Sequence, residues 1–180
     1  MSGKIITIAR QFGSGGREVA MRTAKELNIP FYDRELVEMA AEKMGHAAVS
    51  VETADESALM GFLADYHVPR EPNSVTGYGL SLPDSTYVTQ TIIIETLARK
   101  GPCVIVGRCA DFILQDRTDC LKVFVHADMK FRADRIVRVY GEREKSPEAR
   151  LKEKDKRRAA YYRFYTDMKW GDAANYHVAL

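Results

Sequence analysis

The chain is 180 residues long, with 46% hydrophobic residues, 29% charged residues and a formal net charge of +2. Those values fit one globular domain with a sizeable core, and they exclude a disordered tail, a collagen-like repeat and a disulfide-dense mini-domain. So even a charge balance supplies no global field toward nucleic acid or a membrane surface.

Ile5-Ile6-Thr7-Ile8-Ala9 is a short, β-branched, nearly all-apolar run. A strand buried on both faces of a parallel sheet has this composition. The run is too short for an export signal or a membrane span, so a cytoplasmic protein is expected. It leads into Gly13-Ser14-Gly15-Gly16. Beyond the glycines, Val19, Ala20, Thr23, Ala24 and Leu27 recur at helical spacing, and Asn28 is placed to end that helix. Ile29 to Tyr32 predicts a short strand, with Asp33 placed to cap a helix whose apolar side carries Leu36, Val37, Met39, Ala40 and Met44.

From about Val49 to Val68 the helical pattern is weak, and Pro69 to Asp84 has loop composition. A helix is predicted from Ser85 to Lys100, burying Val88, Ile92, Leu97 and Ala98 and stopped by Gly101-Pro102. Cys103 to Val106 and Leu121 to Val125 are further strands. Helices follow from about Asp128 to Tyr140 and from Pro147 to about Tyr165, and Tyr176 to Leu180 is strand-like. Strands separated by helices give an α/β fold: a parallel sheet of about five strands with helices on both faces. The last strand is expected at the centre of the sheet, where one more helix would ordinarily cover it.

The glycine-rich turn is the most informative segment. A turn between a buried strand and a helix gathers backbone N–H groups at the positive end of the helix dipole, and phosphate is its natural occupant. Gly13, Ser14, Gly15, Gly16, Arg17 and Glu18 are therefore the expected nucleotide-phosphate residues, with the Arg17 guanidinium in reach of the anion. A tight turn without a ligand is the alternative. The P-loop pattern is not strictly met, because it requires glycine where Arg10 stands, lysine where Gly16 stands and serine or threonine where Arg17 stands. The dinucleotide pattern would need a glycine in place of Glu18.

Four blocks together resemble the cytidylate kinase-like family, a branch of the P-loop nucleoside-monophosphate kinases. They are Ile6 to Glu18, Phe31-Tyr32-Asp33, Val104 to Asp111, and Asp155 through Tyr165 and Trp170 to Tyr176. The resemblance covers most of the chain as a single domain. It implies a three-layer P-loop fold, an insertion at about 49–84 that clasps the acceptor, and an arginine-rich lid at about 141–160. It also implies ATP as donor, Mg2+ as cofactor and CMP or a related monophosphate as acceptor. Gly16 and Arg17 replace the lysine and magnesium-binding hydroxyl of true cytidylate kinases, and Val106 stands where an acidic residue is often found. The metal ligands are thus unassigned.

Phosphoryl transfer needs positioning and neutralisation of charge, so the arginines carry the expectation. Arg17 can replace the charge of the missing lysine, though with a different geometry. Arg108 follows a strand and should emerge at the carboxyl edge of the sheet, on the acceptor phosphate or base, with Asp111 as a base or magnesium contact. An Arg108–Asp111 structural pair is equally open. Asp33 is either an acceptor contact or only the helix cap. Arg132, Arg135 and Arg138 recur every three residues, followed by Arg143, Lys154, Arg157 and Arg158. Arg135 and Arg158 are the expected catalytic phosphate contacts, with Asp155 orienting one of them, and about half of the series is expected to be a solvated face.

Tyr161, Tyr162, Phe164, Tyr165 and Trp170 interleave with arginines, as in a single-strand nucleic-acid platform, but packing of the last helix on the sheet is favoured. Cys103, Cys109 and Cys120 form no C-x-x-C pair and are expected as buried free thiols. His46, His67, His126 and His177 have no metal spacing. Two functional classes remain: a kinase acting on CMP, dCMP or another small phosphoacceptor, and a nucleotide-binding regulatory module with little or no kinase activity. The oligomeric state is not legible.

Overall fold

The computed structural model describes residues 4–44 and 82–180. The insertion expected at about 49–84 lies almost wholly outside them. The strands are β1 (Ile5–Arg10), β2 (Phe31–Tyr32), β3 (Val104–Val106), β4 (Cys120–Val125) and β5 (Val178–Ala179). They lie in the order β2-β3-β1-β4-β5, and every neighbouring pair is parallel. The helices are α1 (Gly16–Leu27), α2 (Glu35–Met44), α3 (Leu82–Lys100), the short α4 (Ala110–Ile113), α5 (Met129–Tyr140) and α6 (Pro147–Thr166).

Alternation along β1 sets the three layers. Ile6 and Ile8 join Val104, Val106, Val123 and Val125 on one face, where Ala20 and Ala24 of α1 cover them. Ile5 points the other way, with Cys103, Ile105 and Cys120, beneath Leu36 and Ala40 of α2 and Ile93, Ile94 and Leu97 of α3. Burial on both faces is why β1 and β3 are nearly continuous apolar runs rather than alternating ones. A third cluster, Ala9, Phe124, Tyr176 and Trp170, fixes the residues after α6 against the sheet. All three cysteines are buried free thiols.

Local chemistry accounts for the helix ends. Asp128 accepts from the Phe131 N–H at 2.8 Å and Ser146 accepts from the Ala149 N–H at 3.3 Å, with Pro147 as the first helical residue. Asn28 closes α1 in the left-handed conformation, at φ 50°.

Several expectations need correction. The α3 helix begins at Leu82, inside the segment with loop composition, and Val88 and Ile92 face outward while Thr86, Gln90, Ile93 and Ile94 are buried. Val19 and Leu27 of α1 are likewise exposed, because the small side chains of Ala20 and Ala24 let the helix lie close to the sheet. Asp33 does not cap α2. Its carboxylate is held by Arg10 and Arg17, and its own N–H donates to Glu35 at 2.9 Å. Finally, β5 pairs with β4 and lies at the edge of the sheet, not at its centre. No helix among the described residues is long and apolar enough to cross a membrane.

Candidate active site

The loop from Gln11 to Gly15 joins the carboxyl end of β1 to the start of α1. Ser14 staples it internally, donating from its hydroxyl to the Gln11 carbonyl at 3.0 Å and accepting from the Gly16 N–H at 3.3 Å. The amides of Gly13, Gly15 and Arg17 have no acceptor among the described residues. They are N–H groups at the positive end of a 12-residue helix, where an anion is stabilised. The loop glycines serve different ends. At Gly13 (φ 79°) a Cβ would lie 2.8 Å from Ile136 Cγ2 and 3.0 Å from the Arg132 carbonyl oxygen, so packing against α5 demands glycine there. At Gly15 the nearest atom to a Cβ would be Arg135 Nε, at 3.6 Å.

Helices α5 and α6 close on this loop through charge. Asp155 of α6 accepts from the Phe12 N–H at 2.7 Å and from Arg132 Nη1 of α5 at 2.5 Å, and Arg132 Nη1 also donates to the Phe12 carbonyl at 3.2 Å. The Arg132 side chain is only 6% exposed, so this carboxylate is what compensates its burial. Arg135 donates to Glu18 at 3.0 Å, and that bond, with Arg22 helping, holds the Glu18 carboxyl below its ordinary range. Arg158 donates to the Arg10 carbonyl at 3.0 Å and lies 5.7 Å from the centre of the Phe12 ring. Of the three evenly spaced arginines, Arg132 is buried, Arg135 half-buried and Arg138 exposed.

Beside the loop, a cavity of about 120 Å3 opens at the carboxyl ends of β1 and β3. Arg10, Arg108, Lys154, Arg157 and Arg158 all line it. Open α/β sheets bind their ligands at this edge. Burial lowers Arg10 to about 9, and the nearby Arg158, Arg108 and Arg17 push the same way, while Asp33 opposes them. Such crowding of cations favours the approach of negative charge. The floor turn after β3 is strained. Gly107, Arg108 and Cys109 are three successive residues at positive φ (73°, 56° and 54°), two of them not glycine.

Asp111 is the acidic side chain that lines the cavity among the described residues. It accepts from the Tyr162 hydroxyl at 2.8 Å, and burial holds its carboxyl above the ordinary range in spite of that bond. Burial disfavours the ionised form, the form a magnesium ion would bind. Elsewhere, Arg17 turns away from the glycine loop, donating from Nε to Asp33 at 2.7 Å and lying 5.7 Å from the centre of the Phe31 ring.

The structure thus gathers Arg135 and Glu18 over the glycine loop, Arg108, Asp111 and Arg158 in the cavity, and Asp33 with Arg17 on the β2 side. Asp155 does orient an arginine, but it is Arg132. Sequence reasoning missed Arg10, a lone cation at the end of a buried strand. That position is itself the signal that could have marked it.

ATP and Mg2+ fare differently against these residues. The free loop amides and Arg135 suit a polyphosphate. For magnesium, no preformed group of three His, Cys, Asp or Glu gathers among the described residues, and the ion would rest on one or two carboxylates with the substrate phosphates. Near the site, Glu18, Asp33 and Asp155 already accept from arginines and Asp111 from Tyr162.

The sequence pattern of the cytidylate kinase-like family matches residues 5–180. The crystal structure of an uncharacterised protein from Eubacterium ventriosum ATCC 27560 is similar over 98% of this chain and 86% of that one, at 30% identity and a TM-score of 0.70. Shikimate kinase from Bacteroides thetaiotaomicron aligns over 98% of this chain and 85% of its own, at 12% identity and a TM-score of 0.55, a likeness of fold alone. No curated protein matches this chain.

Proposed function

The chain belongs to the cytidylate kinase-like family and has the fold of the P-loop kinases, and we propose that it moves the terminal phosphoryl group of ATP to a nucleoside monophosphate, CMP or dCMP. The observation that carries this reading is the convergence of Arg10, Arg108, Lys154, Arg157 and Arg158 on one cavity beside a loop with free amides. Two anionic substrates need two anion-binding sites next to each other, and a basic cavity beside a loop with free amides supports that reading. The loop of Gly13 to Glu18 takes the donor phosphates, with Arg135 over Gly15. The cavity takes the acceptor phosphate, with Arg108 and Arg158 meeting the charge that spreads over the transferred oxygens.

A nucleotide-binding regulatory module is the second reading. It is favoured by Gly16 and Arg17 at the places of the usual lysine and hydroxyl, and by Asp33 holding Arg17. ADP release from ATP and magnesium, measured with each nucleoside monophosphate in turn, separates the two. Turnover that depends on CMP or dCMP supports the kinase. Saturable ATP binding with no turnover for any acceptor replaces it with the module.

A further inference from the structure

Resting on the acceptor-phosphate reading of the basic cavity, we infer that Arg10 is the side chain that binds this phosphate, and that Asp33 is the positioning residue that holds its guanidinium in place. Arg10 is the last residue of β1, and its side chain is one-fifth exposed. Its side chain is held by Asp33 and packs closely against two glycines. Asp33 Oδ1 accepts from Nη2 at 3.2 Å. A Cβ on Gly107 would lie 2.2 Å from Nη1, and a Cβ on Gly16 would lie 2.6 Å from the Arg10 Cβ. At 16 the Arg10 and Val125 side chains fill the space a methyl group would take, and at 107 the chain is left-handed at φ 73°, with Arg10 Nη1 packed where a Cβ would stand.

A guanidinium so fixed loses little freedom when it binds, and its planar fork matches the oxygens of a phosphate monoester. Nε and Nη1 have no acceptor among the described residues, so donors remain for a ligand. The groups that face Arg10 are Arg158, Arg108, Arg17 and Asp33. An entering dianion relieves the repulsion among the four arginines. Asp33 is shared between Arg10 and Arg17, the latter of which it meets at 2.7 Å.

The test is calorimetric titration of the whole protein with inorganic phosphate and then with CMP, using wild type, Arg10→Gln and Asp33→Asn. Arg10→Gln is expected to weaken phosphate binding by about tenfold or more, the scale of a charge-assisted pair. Asp33 is an anion beside the cluster, so by charge alone its removal would tighten binding. The positioning role predicts the opposite sign, a loss of roughly fivefold, well below the effect of truncating a charged pair outright. If Asp33→Asn fails to fold, Asp33→Glu takes its place, since it moves the carboxylate without changing its charge and should likewise weaken binding. Unchanged binding in Arg10→Gln, or equal or tighter binding in Asp33→Asn, overturns the inference. Wild type that binds phosphate but refuses CMP leaves Arg10 in its role and sinks the nucleoside-monophosphate reading. Wild type that binds neither sinks both.

Discussion

Replacing Asp155 with leucine should unfasten the two helices that cover the glycine loop. The carboxylate accepts from the Phe12 amide at 2.7 Å and from Arg132 at 2.5 Å, and the two side chains are 17% and 6% exposed. Breaking such a pair from one side leaves a buried cation, at a cost of about 3–5 kcal/mol, and the partial exposure of Asp155 puts this case near the lower end. For a chain of 180 residues, a loss of about 3 kcal/mol lowers the melting temperature by roughly 6–12 °C. Urea unfolding with linear extrapolation measures the loss directly, and the dependence on urea should stay as in wild type. Adding Arg132→Met to Asp155→Leu replaces the pair with apolar groups and should restore most of the stability, a coupling of about 2–3 kcal/mol. An Asp155→Leu protein within about 1 kcal/mol of wild type, or a double variant whose losses simply add, would refute the reasoning.

Burial raises the carboxyl pKa of Asp111, so between the ordinary value near 3.8 and the raised one the folded chain holds a proton that the unfolded chain has lost. Stability from this group therefore falls as pH rises through that window. Asp111→Asn still accepts from Tyr162 and should flatten the fall, with a melting temperature at pH 7 no lower than wild type; a thermal-shift series across pH checks it. Gly16→Ala puts a methyl group 2.6 Å from the Arg10 Cβ and 3.1 Å from the Val125 Cβ, and overpacking of this kind should cost about 1–3 kcal/mol in urea unfolding. Unaltered stability would mean that the loop yields freely. Arg135→Gln should leave the melting temperature nearly unchanged, since its partner Glu18 is exposed, while ADP affinity by titration falls about tenfold. Equal affinity would remove Arg135 from the donor site.

Much of the scaffold was legible because burial on both faces leaves a composition that short windows reveal. Val104 to Val106 is wholly apolar, Ile5 to Ala9 is so but for Thr7 and Leu121 to Val125 but for Lys122, and parallel strands buried on both sides have that pattern. Helix ends were legible where capping chemistry is local, at Asn28, Asp128 and Pro147. What escaped depends on contacts between distant segments. Asp33 has the chemistry of a cap, and only the approach of β1 and α1 turns it into a bridge between Arg10 and Arg17. Spacing cannot tell which of Arg132, Arg135 and Arg138 goes inward; the place of α6 and its Asp155 decides that. Exposure of Val88 and Ile92 escaped for the same reason, because α3 buries the stripe that meets α2 and the sheet. The glycine run shows its turn and its amides in the sequence, but not the distant Ile136 and Arg10 that pack against two of its members.

Release of ADP does not by itself say where the phosphoryl group goes. Phosphorus NMR of a single mixture of protein, ATP, magnesium and CMP follows it directly. The account predicts that the γ resonance of ATP declines as the two resonances of CDP grow in step, with little inorganic phosphate formed. A γ resonance that passes only into inorganic phosphate, or that persists while ATP is bound, would contradict it.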